Sequence, residues 1–532
     1  MRPYHVTYLN AQSQNEFIEL IGHEVQRRIV QEIKDAGMYS VMADTTPDVS
    51  HKDRLAIACR YVDKMGLPRE RLVSLTEAVD KTREGGATEI IGSLTKQGLN
   101  LDELCFQSYD YTASMSGRFN GVQKKLQDKL GKSVPYIPCL THRSNTVIEH
   151  SCKASPIITE LFNVLEALYV FYTGRTKRMS SLEDSIQSMK VDDPLNLRNL
   201  SRTRWTARAE SIKSVWICYE AILDSLSNLE QSDDGTASGL RSKLLRFDCI
   251  VSIMFMKNIM YTTKRMTETL QSEDLNVIDA ITIVQSTVTN LQNVNDNIDG
   301  MNKEIQAAAS FAEKLGVDVG TDFLRYHRQR KPSRRIDDNP STTANLNVES
   351  FYRKEFKAVL DTQINTFTDV LENCVATIKP LFQALQPGQE PSSIQTFEAL
   401  AKFHPDKDRP DPDALMSEIE TFKLHLKTTH EEDAKDISSA AKKAEEMKLV
   451  FPLTNRAFRL VLTAPVTVAK DERTFSKLKT VKNLCRSRTS DERLEELMFM
   501  ACEKDITDEI PVQNLATLWA SLKSRRITIG PV

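Results

Sequence analysis

The sequence predicts an α/β protein whose mixed sheet is interrupted by a large all-α insertion. Three observations carry that expectation. Residues 38–145 alternate short apolar runs with turn-prone stretches and helical patterns. From about 145 to 325 strand signals nearly vanish and the apolar period is helical. Near 445–505 the pattern is mixed again, so the sheet is expected to resume there after its helical guest.

Each element follows from its own period. In QNEFIELIGHEVQRRIVQEIK (14–34) apolar residues fall at 17, 18, 20, 21, 25, 29, 30 and 33, the spacing of one helix face. MYSVMADTT, RLAIACRYVD and ERLVSLTEAV are short apolar runs separated by PDVSHKD and KMGLP, and predict three strands joined as hairpins. TEIIGSLTKQG predicts a helix, ELCFQSYD a strand, 115–130 a helix, VPYIP a strand, and the chain from about 142 a long helix. Hairpins followed by βα units make a mixed sheet. ITELFNVLEALYVFYTG, RAESIKSVWICYEAILDSLSNL and LRFDCIVSIMFMKNIMYTTKRMTETL exceed ordinary strand length and predict helices. Residues 325–347 are polar with two prolines and predict an exposed linker. Helices resume at 348–385 and 414–447. FRLVLTAPVT predicts a strand, KDERTFSKLKTVKNL a helix, and Thr489-Ser490-Asp491-Glu492 a capping box opening a last helix.

The composition is that of an ordinary globular chain: 532 residues, 40% hydrophobic and 27% charged, with a formal net charge of −3. A whole-chain basic field for nucleic acid is excluded, so any such contact rests on local patches. Two basic stretches offer one: Arg325 to Arg335, which has no acid, and Lys470 to Arg488. Each reads equally as a solvated surface, and the first also has the form of a nuclear import signal. No apolar run reaches the ~18–20 residues that span a bilayer, and no secretory signal is visible. The nine cysteines are scattered without a CxxC pair, which points to reduced thiols in a nuclear or cytoplasmic protein.

Three acids sit where predicted strands meet other elements. Asp44 ends the first strand, Asp110 ends the fourth run, and Glu472 heads a C-terminal helix. Converging carboxylates suit two Mg²⁺ ions ~3.5–4 Å apart and in-line phosphoryl transfer. Acids at strand ends are also ordinary turn residues.

The blocks VMADTTPDVSHKDRLAIACRYVD, CFQSYDYTASMSGRFNGVQ, YIPCLTHRSNTVI, RTRWTARAESI and FRLVLTAPVTVAKDERTFSKLKTVKNLCRSRTSDERLEELMFMA occur in that order. Together they resemble the hAT superfamily of transposases, in the branch related to zinc finger MYM-type protein 1. The resemblance covers about 36–215 and 445–505. It implies an RNase H-like fold interrupted by helices and closed by the hAT C-terminal dimerisation region. Carried over, the D/D/E triad falls on Asp44, Asp110 and Glu472, which would be the catalytic and Mg²⁺-binding residues if activity is kept. The C-x-x-H element falls on Cys139 and His142, for which packing is the reading adopted over zinc. The Arg-Trp element falls on Arg204 and Trp205 and implies DNA contact. The C-terminal helix, with its stripe of Leu494, Leu497 and Met498, is implied to build a homodimer interface; within one chain the same stripe would cover the sheet.

Two departures shape the functional expectation. Tyr111-Thr112-Ala113-Ser114-Met115 stands where the family usually has Gly-Ala-Ser-Asn-Met, and the 37 residues before the first strand hold no Cys/His finger. The expectation is therefore a domesticated or inactive transposase relative, not an enzyme, with dimerisation and nucleic-acid binding as its work. The alternative is an active DNA transposase. The expected organisation is an N-terminal helix (1–37), a first RNase H-like part (38–150), a helical insertion (151–444), a last RNase H-like part with the dimerisation region (445–510), and a tail (511–532). The expected partners are a second copy and DNA, with no membrane.

Overall fold

The computed structural model describes residues 11–110, 115, 117, 120–200, 205–231, 235–327, 347–386, 393–429, 436–483 and 486–522. The chain opens with α1 (Ala11–Ala36), then β1 (Tyr39–Pro47), β2 (Asp53–Val62), β3 (Pro68–Glu77), α2 (Arg83–Lys96), β4 (Leu104–Tyr109), α3 (Val122–Leu130) and α4 (Leu140–Cys152). Helices follow to the end: α5 (Pro156–Thr173), α6 (Thr176–Ser188), α7 (Trp205–Ile217), α8 (Tyr219–Gln231), α9 (Gly235–Leu244), α10 (Phe247–Leu270), α11 (Val277–Asp296), α12 (Ile298–Lys314), α13 (Val319–Tyr326) and α14 (Val348–Leu385). The last are α15 (Ile394–Ala401), α16 (Pro412–Thr429), α17 (Ile437–Glu446), α18 (Pro452–Thr463), α19 (Ala469–Val481), α20 (Asp491–Cys502), α21 (Lys504–Asp508) and α22 (Val512–Ser521). The fold is α/β with a large all-α region, as expected.

Two compact units result. One comprises 1–143, 270–282 and 373–532; the other comprises 144–269 and 283–372. The first is sheet-centred and joins the two ends of the chain. Helices within 394–429, expected as part of the insertion, group with the sheet. Phe403, just past α15, meets Phe106 of β4 with ring centroids 5.5 Å apart. No single helix among the described residues is long and apolar enough to cross a membrane.

The sheet order is β3-β2-β1-β4, antiparallel except for the β1–β4 pair. Aspartates shape both hairpins. Asp48 Oδ1 accepts from the amides of Ser50 and Lys52, and Asp63 Oδ1 accepts from those of Met65 and Leu67. Such Asx turns are why Asp marks turn starts. Gly66, at φ +79°, supplies the left-handed position in the second hairpin.

Alternation along β1 divides the layers. Tyr39, Val41 and Ala43 join a core with Val25, Ile29 and Ile33 of α1, Ile90 and Leu94 of α2, and Met498 of α20. The opposite face carries Ser40, Met42 and Asp44. Ser40 Oγ donates to the Thr463 carbonyl at 2.8 Å, and Met42 packs with Ala58, Cys139 and Val468. The chain from 463 to 472 therefore runs over the same face that ends in Asp44.

Arg60 locks this layer. Its buried guanidinium donates to the carbonyls of Leu462, Glu273 and Leu275 and to Glu70 Oε1, at 2.7–3.0 Å. One side chain on β2 thus holds two segments more than 200 residues away.

Three local expectations are corrected. FRLVLTAPVT is not a strand: 452–463 is a helix starting with Pro452 at its first turn, and among the described residues the sheet does not resume in the C-terminal part. Pro at a first helical position is pre-organised for a helix. VPYIP forms one isolated bridge, Tyr136 to Gln107, rather than a strand. The capping box does not form: Ser490 is the cap residue of α20 without a side-chain cap bond, and Thr489 Oγ1 donates to the Arg486 carbonyl.

Candidate acidic site at the sheet end

Asp44 and Asp110 are brought together by register. Ala43 pairs with Tyr109 in the parallel β1–β4 ladder, so the next residues, Asp44 and Asp110, lie side by side where that ladder stops; Asp110 follows the end of β4, whereas Asp44, expected to end β1, lies inside it and pairs with Ala56 of β2. Parallel neighbours are ~4.8 Å apart and present paired side chains to the same face. Both are half-buried. Glu472 arrives from the first turn of α19, and its amide donates to the Val468 carbonyl at 3.2 Å.

The electrostatics record this convergence. The Asp44 carboxyl is pushed up to about 7, chiefly by burial, next by the negative charge of Asp110, and also by Glu472. A hydrogen bond from the Thr45 amide at 2.8 Å pulls the other way. Like charges sharing a desolvated site disfavour full ionisation. The three acids named from the sequence are therefore neighbours. Among the described residues, however, the one group of three Asp, Glu, His or Cys ligand atoms lying within 4.8 Å of one another is Glu19, His23 and Glu496, on α1 and α20. The donor types at 44, 110 and 472 suit Mg²⁺.

A fourth acid was missed by sequence reasoning. Asp471 is 0% exposed, and neither carboxylate oxygen has a hydrogen-bond partner. Burial raises its carboxyl well above the ordinary range, the charges of Asp44 and Glu70 raise it further, and Lys470 opposes them. The signal was present in the spacing. Val468, Asp471, Phe475 and Leu478 form one inward face of α19, whereas Glu472 lies ~100° around the helix.

Cys139 sits at the junction of sheet and helix. Its buried Sγ accepts from the amides of His142 at 3.4 Å and Val468 at 3.3 Å. Burial, then the charge of Glu472, push the thiol up, so it remains a protonated packing residue at neutral pH. Arg204 lies outside the described residues. Trp205 opens α7 in the helical unit, and its indole is outside the described side chains. Trp216 packs against Phe311, and Trp519 stacks on Phe17 at 4.7 Å while donating to Glu16.

Of the basic stretch 470–488, four cations are engaged within the chain, while Lys479, Arg486 and Arg488 are exposed. Lys470 pairs with Glu503 at 2.8 Å, Arg473 with Glu273 at 2.7 Å, and Lys482 with buried Asp48 at 2.7 Å. Lys477 donates to the Ala501 carbonyl at the end of α20. Of the stretch beginning at Arg325, residues 328–335 lie outside the described part.

The expected dimer stripe is also corrected. Leu494 and Met498 are 1% and 0% exposed and belong to the sheet core, while Leu497 is half-buried. The α1–α20 contact consumes that stripe within the chain. At its tightest point a Cβ on Gly22 would meet Glu496 Cβ at 2.8 Å.

Comparisons with known proteins agree with this architecture. Residues 2–121 match the family described as ZMYM1/FAM200, RNase-like domain, which covers Asp44 and Asp110. Residues 416–506 match the hAT family C-terminal dimerisation region, which covers Glu472 and begins earlier than the sequence pattern implied. The chain is 21% identical over 528 residues to the mouse protein named 52 kDa repressor of the inhibitor of the protein kinase, and 21% over 529 residues to its human counterpart. Each alignment covers 93% of this chain and 66% of the relative. The chain is thus similar, in its first 121 residues, to an RNase-like domain of the ZMYM1/FAM200 type and, over 416–506, to a hAT dimerisation region, the order of parts that the resemblance to hAT transposases implies.

Proposed function

We propose that this is a domesticated hAT-derived protein that works by association with a second copy of itself and with nucleic acid, and that it does not cut DNA. The observation that supports this reading is the state of the acid cluster. Asp44, Asp110 and Glu472 meet at the sheet, and an extra inward carboxyl, Asp471, is buried among their charges without a hydrogen-bond partner, adding a like charge that the three acids do not need to hold metal. The relatives carry the name of a repressor, and a role through association is in keeping with that name. DNA contact at Arg204 and Trp205 and residence in the nucleus belong to the same proposal.

The second reading is a DNA transposase using Asp44, Asp110 and Glu472 with Mg²⁺. The side-by-side register of the two aspartates favours it. The experiment that separates the two is nicking of supercoiled plasmid by the purified chain in Mg²⁺ or Mn²⁺, against an Asp110→Asn variant. Equal, background-level nicking is expected. Nicking by the wild type that Asp110→Asn abolishes would establish the second reading instead.

A further inference from the structure

We propose that self-association uses an exposed apolar knob formed by the β2–β3 hairpin tip and the turn between α17 and α18, with a second copy of this chain as its occupant. The proposal rests on the self-association reading above and names its surface. Met65 and Leu67 at the hairpin tip are 76% and 49% exposed, and Leu449 and Val450 in the turn are 95% and 65% exposed. Isolated exposed apolar residues are ordinary, but adjoining ones mark interaction sites. The two segments adjoin. A Cβ on Gly66 would meet Glu445 Cγ, at the end of α17, at 2.8 Å. Arg459 of α18 pairs with Glu445 and donates to the carbonyls of Val62 and Asp63 at 3.0 Å or less.

Three features favour a second copy. Leu449 and Val450 lie inside the matched dimerisation region, 416–506, whose other expected contact stripe is buried within the chain. The tip is rigid, because Asp63 holds the amides of Met65 and Leu67 and the Arg69 guanidinium. Association then loses little conformational freedom. A two-fold interface brings the patch against itself, so an unbalanced charged rim would repel its copy. Here the rim is internally neutralised: Lys64 pairs with Asp35, Arg69 with Asp63, Lys443 with Glu446 and Lys448 with Glu445. Four apolar side chains form the centre of such an interface and these ion pairs its polar edge.

The test is light scattering of the full chain across micromolar concentrations, with Leu449→Asp, Met65→Asp and a control, Val512→Asp. Val512 is 72% exposed on α22, outside the dimerisation region. The wild type is expected at twice the 60.3 kDa chain mass. Leu449→Asp and Met65→Asp should each weaken the dimer by about tenfold or more, as charge placed in an interface centre does, while Val512→Asp leaves it intact. A monomeric wild type would overturn the self-association reading itself. A dimer that survives both patch variants, or that only Val512→Asp breaks, would leave that reading standing and overturn this surface.

Discussion

Replacing Asp471 by Asn should stabilise the protein at neutral pH and lose that advantage in acid. The Asp471 carboxyl is fully buried without a donor, and its proton affinity is raised in the folded state. A raised carboxyl means that the folded state holds a proton that the unfolded chain releases above ~3.9. Stability from this group is therefore fully present below the unfolded value and falls as pH rises toward the folded one. Each pH unit costs about 1.36 kcal/mol while the folded group keeps its proton, a ceiling of about 4 kcal/mol at pH 7. The Asn amide leaves its own polar atoms without partners, which takes back about 1–3 kcal/mol. The net expectation is a gain at pH 7 that stays below this ceiling and shrinks toward pH 4. Urea unfolding of the full chain at several pH values measures it through the difference in midpoint. A difference that stays constant from pH 4.5 to 8 would refute the reasoning, because the burial of an ionisable group would then be irrelevant.

Other consequences follow from the same contacts. Arg60→Met should destabilise the sheet unit by about 3–5 kcal/mol, because it leaves three carbonyls without their donor and buried Glu70 with only the longer Arg473 contact; hydrogen exchange of β2 and of 273–275 should rise together. Leu494→Ala should lower the unfolding midpoint by an amount equivalent to about 2–5 kcal/mol, the cost of a core cavity, without changing the assembled mass of folded protein. Asp48 has its carboxyl lowered: burial pushes it up, but the Lys482 and Arg54 pairs outweigh that. Its contribution is thus present above the ordinary carboxylate range and is lost as pH falls below it. Lys482→Met should reduce the acid-induced loss of stability and lower stability at pH 7.

The hairpins and the core alternation of β1 were legible because period-two patterning and Asp-led turns act locally. The fate of FRLVLTAPVT was not. Ala457, Phe458, Leu460, Val461 and Leu462 are buried and nearly consecutive, so the run reads as a strand, although Arg456 and Arg459 give α18 a polar side. Asp110 follows the end of β4 as expected, but β1 runs three residues past Asp44, and the side-by-side placement of the two needed the β1–β4 register. Glu472 was found by resemblance. Asp471 matches no family acid, yet the helical period turns it inward. The stripe at Leu494 and Met498 was correctly read as apolar, and the sequence offered both of its destinations. The choice between the core and a second copy depended on α1, some 470 residues earlier, folding back against α20.

The convergence of acids from the two ends of the chain is tested most directly by a carbon-detected carboxyl titration of Asp44 in the wild type, Asp110→Asn and Glu472→Gln proteins. Asp44 should titrate at about 7 in the wild type, fall furthest when Asp110 is neutralised, and fall by less when Glu472 is. An Asp44 that titrates in the ordinary carboxylate range and ignores both substitutions would mean that the three acids do not meet.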